Sequence, residues 1–245
     1  PPQGKIGLFM SGWYAPPLAD RVARRSTVAE FDAELDRIAA FERTLAADGA
    51  LILKFWLHLT RHAQRRRLEK LTADPLTRWR VTKAQWEQQR QYARWTTAAE
   101  RAIQRTSVGH APWFIIDARD PRYRTLAVAT ELRNALFRTL DTDAPRRRRK
   151  RTAMATAVAG SPPASDASLV QRVDRERSVL DVLDMSRTLS KSAFKTGLLR
   201  QQGRLAQLQR KAEKQGRSLL LVFEGWDAAG KGGAIRRIVA ALPPQ

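Results

Sequence analysis

The sequence contains no cysteine among its 245 residues, which excludes disulfide bonds and thiolate metal sites. It also contains no apolar run of the roughly 18–20 residues that a membrane-spanning helix needs. Pro1 stands where an initiator methionine is expected, and no signal-peptide pattern follows it. We therefore expect a soluble, cytoplasmic protein without a membrane partner, whose N-terminus is cut or processed.

Acidic residues are scarce relative to basic ones. The 24 Asp and Glu residues face 45 Lys and Arg residues, which gives a formal net charge of +21. Such a surface attracts polyanions, namely nucleic acid, nucleotides, polyphosphate or an anionic membrane, and the sign of the charge does not choose among them. No recognised nucleic-acid-binding motif is present, so a specific nucleic-acid partner is not expected.

Apolar runs and helical periodicities alternate along the chain, whose length suits one large or two small domains. This alternation predicts an α/β fold, a parallel sheet with helices on both faces. The predicted strands are 5–10, 50–57, 112–117 and 219–223, and the predicted helices are 28–45, 60–71, 83–106, 120–140 and most of 170–215. One apolar helix face is predicted from the spacing of Val28, Phe31, Leu35, Ile38, Phe41 and Leu45.

The composition changes at Ala144, where a basic run at 146–151 is followed by an Ala/Ser/Pro-rich stretch. This composition is typical of a linker, and we interpret the basic run as a solvated segment. The sequence thus divides into residues 1–143, a linker at 144–168 and residues 169–245.

A glycine-rich loop at 225–233 carries the clearest chemical signal. It follows the strand predicted at 219–223 and opens a helix, which is the setting of a G-x-x-x-x-G-K phosphate cradle. Backbone N–H groups at a helix N-terminus attract phosphate oxygens. The candidate phosphate-binding residues are Gly225, Ala228, Ala229, Gly230, Lys231, Gly232 and Gly233.

Two side chains of this loop are the candidate catalytic residues. Lys231 would reach terminal phosphates as a point charge. Gly232 stands where a Ser or Thr usually binds magnesium, so the metal would need another oxygen ligand, and Asp227 is the candidate. The sequence therefore predicts a Mg²⁺ cofactor held by Asp227.

The segment from Phe223 to Gly233 resembles the phosphate loop of the family-2 polyphosphate kinases, including its Asp and the Gly after Lys. Residues 189–195 resemble the stretch that precedes this loop in the family. Residues 9–22 resemble the family's second acidic motif, which matches at Trp13, Tyr14, Leu18, Arg21 and Val22. Further matches are Lys54–Trp56 (a later strand), Asp74–Leu76 with Trp79 (the lid) and Ala111–Trp113 (the last strand).

The chain departs from the family at three positions of the second motif. Met10 occupies the place of the Asp, and Ser11 and Pro16 occupy the places of two Arg residues. A thioether is a poor ligand for a hard cation, and Ser11 supplies no guanidinium charge. The resemblance thus implies a P-loop kinase-like fold with two incomplete repeats. Residues 1–143 are the C-terminal part of a degenerate first repeat that includes the lid region, and residues 169–245 are the N-terminal part of a second repeat that contains the phosphate loop.

The resemblance also implies an activity. Tandem-repeat members of the family transfer a phosphoryl group between polyphosphate and a nucleotide (AMP, ADP or ATP) with Mg²⁺, and we expect a homo-oligomer. The resemblance places Arg65, Arg66, Arg78 and Arg80 in the lid over the phosphate donor, although they also fit a solvated basic face. We expect residues 1–245 alone to be inactive. The alternative function is a noncatalytic module that binds polyphosphate or nucleic acid, or serves as a scaffold.

Overall fold

The computed structural model describes residues 4–152, 179–180, 182–240 and 242, except for the side chains of Arg80 and of residues 141–152. Its elements, in chain order, are β1 (Ile6–Met10), α1 (Ala15–Val22), α2 (Val28–Ala47), β2 (Leu51–His58), α3 (Arg61–Ala73), a 3-10 turn (Arg78–Arg80), α4 (Lys83–Arg90), α5 (Tyr92–Thr106), β3 (Trp113–Asp117), α6 (Pro121–Thr152), α7 (Lys191–Lys214), β4 (Leu219–Gly225) and α8 (Lys231–Val239).

The four strands form one parallel sheet in the order β1-β4-β2-β3. β4 therefore lies between two strands that precede the predicted linker. Its residues 219–223 pair with all of β1, and its residues 219–225 pair with 51–57 of β2. The two predicted partial repeats thus share a single sheet, whose strands all end at the same edge. Their division into domains stays a prediction.

Helices cover both faces of this sheet, as the sequence predicted. On one face α1, α2 and α5 pack against Trp56 and Val222. On the other face α6, α7 and α8 pack against a larger cluster that includes Phe55, Leu57 and Phe223. Side chains alternate between the faces of a strand, so a strand covered on both faces is apolar along most of its length.

Helix α2 begins where its sequence predicts. Thr27 accepts a hydrogen bond from the Glu30 N–H (3.2 Å), and Glu30 accepts one from the Thr27 N–H (2.7 Å). This capping box satisfies two backbone donors that have no helical partner. Val28 and Phe41 are exposed, whereas Phe31 and Leu35 are buried. The predicted apolar face is therefore only partly in the core.

The single helix predicted over 83–106 is wrong, because α4 ends and α5 begins at Gln91. Both halves have helical periodicity, so the sequence pattern hides the break. The contacts of Tyr92 fix the direction of α5: its hydroxyl donates to the Leu59 carbonyl (2.9 Å) and its ring stacks on Trp226 at 4.3 Å.

The helix predicted over 120–140 is longer than expected, since α6 continues to Thr152, past the predicted start of the linker at Ala144. Arginine, lysine and alanine are good helix formers, so the basic composition that suggested a linker is compatible with a helix. The rest of the predicted linker, 153–168, lies outside the described residues. Within the described part of the chain, no helix is both long and apolar enough to span a membrane.

A buried ion pair joins the sheet to α2. The Lys54 ammonium contacts Glu42 Oε2 at 2.6 Å, and both side chains are fully buried. Lys54 also donates to Tyr14 Oη (2.9 Å) and the Thr106 carbonyl (2.8 Å), while Tyr14 and Trp13 both donate to Glu42 Oε1. Burial lowers the pKa of Lys54, and Glu42 opposes this shift. The network ties β2 to α1, α2 and α5 through hydrogen bonds that satisfy both charges.

A second buried carboxyl group joins β4 to the turn after β1. Glu224 Oε1 accepts a hydrogen bond from the Gly12 N–H at 2.7 Å. Burial raises the pKa of Glu224 from 4.5 to about 7, although Lys231 and the Gly12 N–H both act to lower it. Near neutral pH this group therefore retains a proton that it would lose in the unfolded chain.

We predict that Lys54→Met lowers the free energy of unfolding by roughly 3–5 kcal/mol, because it leaves the Glu42 carboxylate buried without its cation. Urea denaturation measures this change. Lys5→Met is the matched control, because Lys5 forms a solvent-exposed ion pair with Glu213. Its cost should be about 0–1 kcal/mol.

The double variant Lys54→Met, Glu42→Gln isolates the reason for the loss. It removes both charges but keeps an acceptor for Trp13 and Tyr14, so it should be more stable than Lys54→Met. If both variants lose the same free energy, the unpaired charge is not the cause.

We predict that Glu224→Gln changes the pH dependence of stability. Below about pH 4.5 the carboxyl group is protonated in both states; between pH 4.5 and 7 the unfolded chain ionises first, so rising pH favours unfolding. The variant lacks this contribution and should gain stability over the wild type as pH rises through this window. At ~1.4 kcal/mol for each pKa unit, the gain is at most about 3 kcal/mol.

Urea denaturation at several pH values between 4 and 8 measures this difference. Glu30→Gln is the control, because hydrogen bonds from Thr27 lower the pKa of Glu30. Its stability difference from the wild type should stay constant above pH 5. A constant difference for Glu224→Gln over the same range would contradict a raised pKa.

Candidate phosphate-binding site

The chain leaves the sheet at Gly225, where only glycine fits. The φ angle of Gly225 is +124°, and a Cβ atom placed there would lie 2.3 Å from the Leu57 carbonyl oxygen and 2.7 Å from the Leu57 nitrogen. The close approach of these two backbones lets the loop turn directly over the end of β2.

The loop between β4 and α8 has the backbone of an anion cradle. Ala228 and Gly230 have φ angles of +63° and +85°, in the left-handed region. When left-handed residues alternate with residues in other conformations, successive backbone N–H groups point into the same concave surface. The Ala229 N–H donates to the Trp226 carbonyl (3.0 Å), and Gly230 is the N-cap of α8. The first N–H groups of α8 have no helical acceptor, so the loop ends at a cluster of free donors.

Lys231 lies inside this loop, with 11% of its side chain exposed. Its ammonium donates to the carbonyls of Gly225 (2.8 Å) and Trp226 (3.3 Å) and lies 3.9 Å from Asp227 Oδ1. Burial lowers the pKa of Lys231, while Asp227 and Glu224 act to raise it. The structure therefore brings the two predicted catalytic side chains, Lys231 and Asp227, together.

Asp227 is positioned through its backbone. Its N–H donates to Gln88 Oε1 at 3.1 Å, and its carboxylate is partly exposed at the mouth of the loop. Mg²⁺ commonly takes one or two carboxylates together with waters and phosphate oxygens, so Asp227 fits as one such ligand. Among the described residues no group of three or more His, Asp or Glu side chains could hold a metal alone.

Met10 faces the same loop from β1. Its sulfur lies 3.7 Å from the position of a Cβ on Gly232, and 58% of the residue is exposed. The Ser11 N–H donates to the Phe223 carbonyl at 3.0 Å, so β1 and β4 remain paired up to this point. The position from which a neighbouring strand can offer a metal ligand is therefore occupied by a thioether.

Two buried side chains that the sequence did not predict, Trp226 and Arg124, support the loop from below. Trp226 is buried, stacks on Tyr92 and donates to His58 Nδ1 at 3.4 Å. Arg124 of α6 is 2% exposed and donates to the Ala229 carbonyl at 2.7 Å. These contacts join residues more than a hundred positions apart, so no local sequence pattern could have revealed them.

The predicted lid arginines do not form one group. Arg65 points into solvent and bonds Glu69 (2.8 Å). Arg66 lines a cleft of about 890 Å³ together with His62, Arg67, Lys70 and Arg119. Arg78 is exposed in the 3-10 turn and does not line this cleft. The side chain of Arg80 lies outside the described residues.

Comparison with known proteins identifies one family. Residues 1–144 and 188–245 match the family described as Polyphosphate kinase 2 (PPK2). The chain is 40% identical to the polyphosphate:AMP phosphotransferase of Pseudomonas aeruginosa and 36% identical to that of Pseudomonas syringae pv. tomato. Both matches cover 100% of this chain and 46% of the relative, so the chain spans about half the length of these curated relatives.

A crystal structure of a putative polyphosphate kinase 2 from Pseudomonas aeruginosa PA01 is also similar, with 35% identity and a TM-score of 0.48. The match covers 100% of this chain and 43% of that one. The family match includes both β1 and the phosphate loop with its flanking elements. The chain belongs to the polyphosphate kinase 2 family.

Proposed function

We propose that this chain contributes the phosphate loop of an enzyme that transfers a phosphoryl group between polyphosphate and a nucleotide, AMP or ADP, with Mg²⁺. The supporting observation is the loop at 225–233, which combines free backbone donors, a lysine and a carboxylate at the edge of a parallel sheet. Ligands of α/β proteins bind outside the carboxyl ends of such strands. The relatives named polyphosphate:AMP phosphotransferase support the choice of substrates.

The last four residues of the loop and Asp227 each have a proposed role. The N–H groups of Gly230 to Gly233 hold phosphate oxygens, and Lys231 neutralises their charge. Asp227 would hold Mg²⁺, which supplies further charge neutralisation when bound. Phosphoryl transfer depends on such positioning and electrostatic stabilisation and needs no covalent intermediate on the protein.

The lid stays part of this proposal with a narrower set of residues. Arg66 shares its cleft with Arg67, Lys70 and Arg119, so these side chains supply the cationic density that a polyphosphate chain needs. Arg65 is paired with Glu69 and contributes less. A cytoplasmic location and a homo-oligomeric state remain predictions of the sequence.

A noncatalytic polyanion-binding role is the second candidate, and Met10 favours it. Backbone donors, Lys231 and the cleft of α3 suffice for binding anions. The neighbouring strand, however, offers no carboxylate at Met10 for a metal. The two functions separate in experiment, because binding without transfer supports the second one alone.

We predict that Lys231→Ala reduces polyphosphate-dependent formation of ADP from AMP by on the order of 10²–10³-fold, the loss expected when a group that stabilises transition-state charge is removed. The assay uses the full natural protein that contains this chain. Lys214→Ala is the control: it removes the same charge at the end of α7, just before the opposite edge of the sheet. Unchanged activity in Lys231→Ala would overturn the catalytic role of the loop.

We further predict that residues 1–245 alone bind tripolyphosphate but do not form ADP from AMP and polyphosphate.

We also predict that Met10→Asp strengthens Mg²⁺-dependent binding of tripolyphosphate, because it places a second carboxylate near Gly232. Isothermal titration calorimetry with and without Mg²⁺ measures this, and Met185→Asp controls for the added negative charge. ADP formation by the unmodified 245-residue chain would refute the prediction that residues 1–245 alone are inactive.

A further inference from the structure

Arg124 is a buried cation without a carboxylate partner among the described residues. Its guanidinium is 2% exposed, and Nη1 donates to the carbonyls of Ala229 (2.7 Å) and Ala118 (3.2 Å). Its Nε atom is buried without a hydrogen-bond partner. A fully buried arginine is rare unless it is paired, so the two carbonyls are what hold this charge in place.

The side chain of Arg124 fills the space beneath the turn at Gly230. A Cβ on Gly230 would lie 2.4 Å from Nη1, and a Cβ on Gly233 would lie 3.7 Å from Nη2. Gly230 is thus required both by its φ of +85° and by the guanidinium packed against it. Arg124 supports the two glycines that flank the first turn of α8.

The hydrogen bond to Ala229 determines where the next N–H points. The described chain has no cis peptide bond, and in a trans peptide the C=O and N–H groups point in opposite directions. Because the Ala229 carbonyl points at Arg124, the Gly230 N–H points away from α6. This is the donor that begins the phosphate cradle.

Neighbouring cations surround Arg124. Arg67 also donates to the Ala118 carbonyl (3.4 Å), and Arg237 donates to the Gly233 carbonyl (2.9 Å). Burial, with Arg67 and Arg237 adding to it, lowers the pKa of Arg124 to about 10, and Asp120 opposes the shift. Arg124 therefore stays charged at neutral pH and adds positive potential directly behind the loop.

We propose that Arg124 is a positioning residue of the phosphate loop: by holding the Ala229 carbonyl it directs the Gly230 N–H toward a bound phosphate that it does not itself touch. This inference rests on the proposed function of the loop. A single nitrogen, Nη1, donates to both carbonyls, and the rest of the guanidinium packs against Gly230, a space that the smaller ammonium of a lysine would not fill. Arg124 lies before the predicted linker, so residues distant in sequence build the cradle together.

The test measures tripolyphosphate binding to the 245-residue protein by isothermal titration calorimetry. Arg124→Met should raise the dissociation constant about tenfold, corresponding to ~1.4 kcal/mol, and Arg124→Lys should raise it less. Arg122→Met is the matched control, because Arg122 is exposed on the same helix and bonds the Leu189 carbonyl. It should bind as the wild type does.

A second measurement separates positioning from stability. The ¹H–¹⁵N resonance of Gly230 should shift in Arg124→Lys and lose most of its response to tripolyphosphate, while resonances in α2 stay unchanged. If Arg124→Met does not fold, Arg124→Lys and this resonance still decide the question. An unchanged Gly230 response in folded Arg124→Lys would overturn the proposal.

Lys231→Ala distinguishes this inference from the function on which it rests. If Lys231→Ala and the wild type bind tripolyphosphate equally, the loop is not the phosphate site and both ideas fail. If Lys231→Ala loses binding while folded Arg124→Met binds as the wild type, only the role of Arg124 fails.

Discussion

The parallel pairing of β4 between β1 and β2 is the constraint on which the site depends. It pairs both edges of β4 while helices cover its two faces, so the chain leaves the sheet at Gly225, which lies directly against Leu57. β1 and β2 both precede the predicted linker, whereas β4 follows it. Without these neighbours β4 would have two unpaired edges, and nothing would fix the position of the loop that follows it.

Buried charge is organised around this sheet. The chain carries a large positive excess, yet three cations that the structure shows in buried or mostly buried positions have oxygen partners. Lys54 is neutralised by Glu42 of α2, whereas Arg124 is held by the carbonyls of Ala118 and Ala229. Lys231 is held by loop carbonyls and also lies 3.9 Å from Asp227 Oδ1. Carbonyl oxygens hold a cation without cancelling its charge, so the positive potential of Arg124 survives behind the loop.

The sequence predicted the four strands to within two residues at either end, because buried parallel strands are continuous apolar runs. It also predicted the loop, since glycines, lysine and the flanking elements form a local motif. It did not predict the break at Gln91, because both flanking segments have helical periodicity. Arg124 and Glu224 were missed for a different reason: their partners lie 105 and 212 residues away. Such contacts exist only once the sheet has formed.

The groups at the candidate site come from two parts of the chain. The backbone donors, Lys231 and Asp227 all belong to one short segment, so they stay together wherever β4 is paired. The neighbouring strand β1 adds no carboxylate at this point, because its last residue, Met10, faces Gly232. Substitutions in β1 that keep its pairing leave the cradle intact, because the Ser11 N–H still bonds Phe223 and Glu224 still holds Gly12. The pairing of β1 with β4 thus does not depend on whether the last residue of β1 could bind a metal.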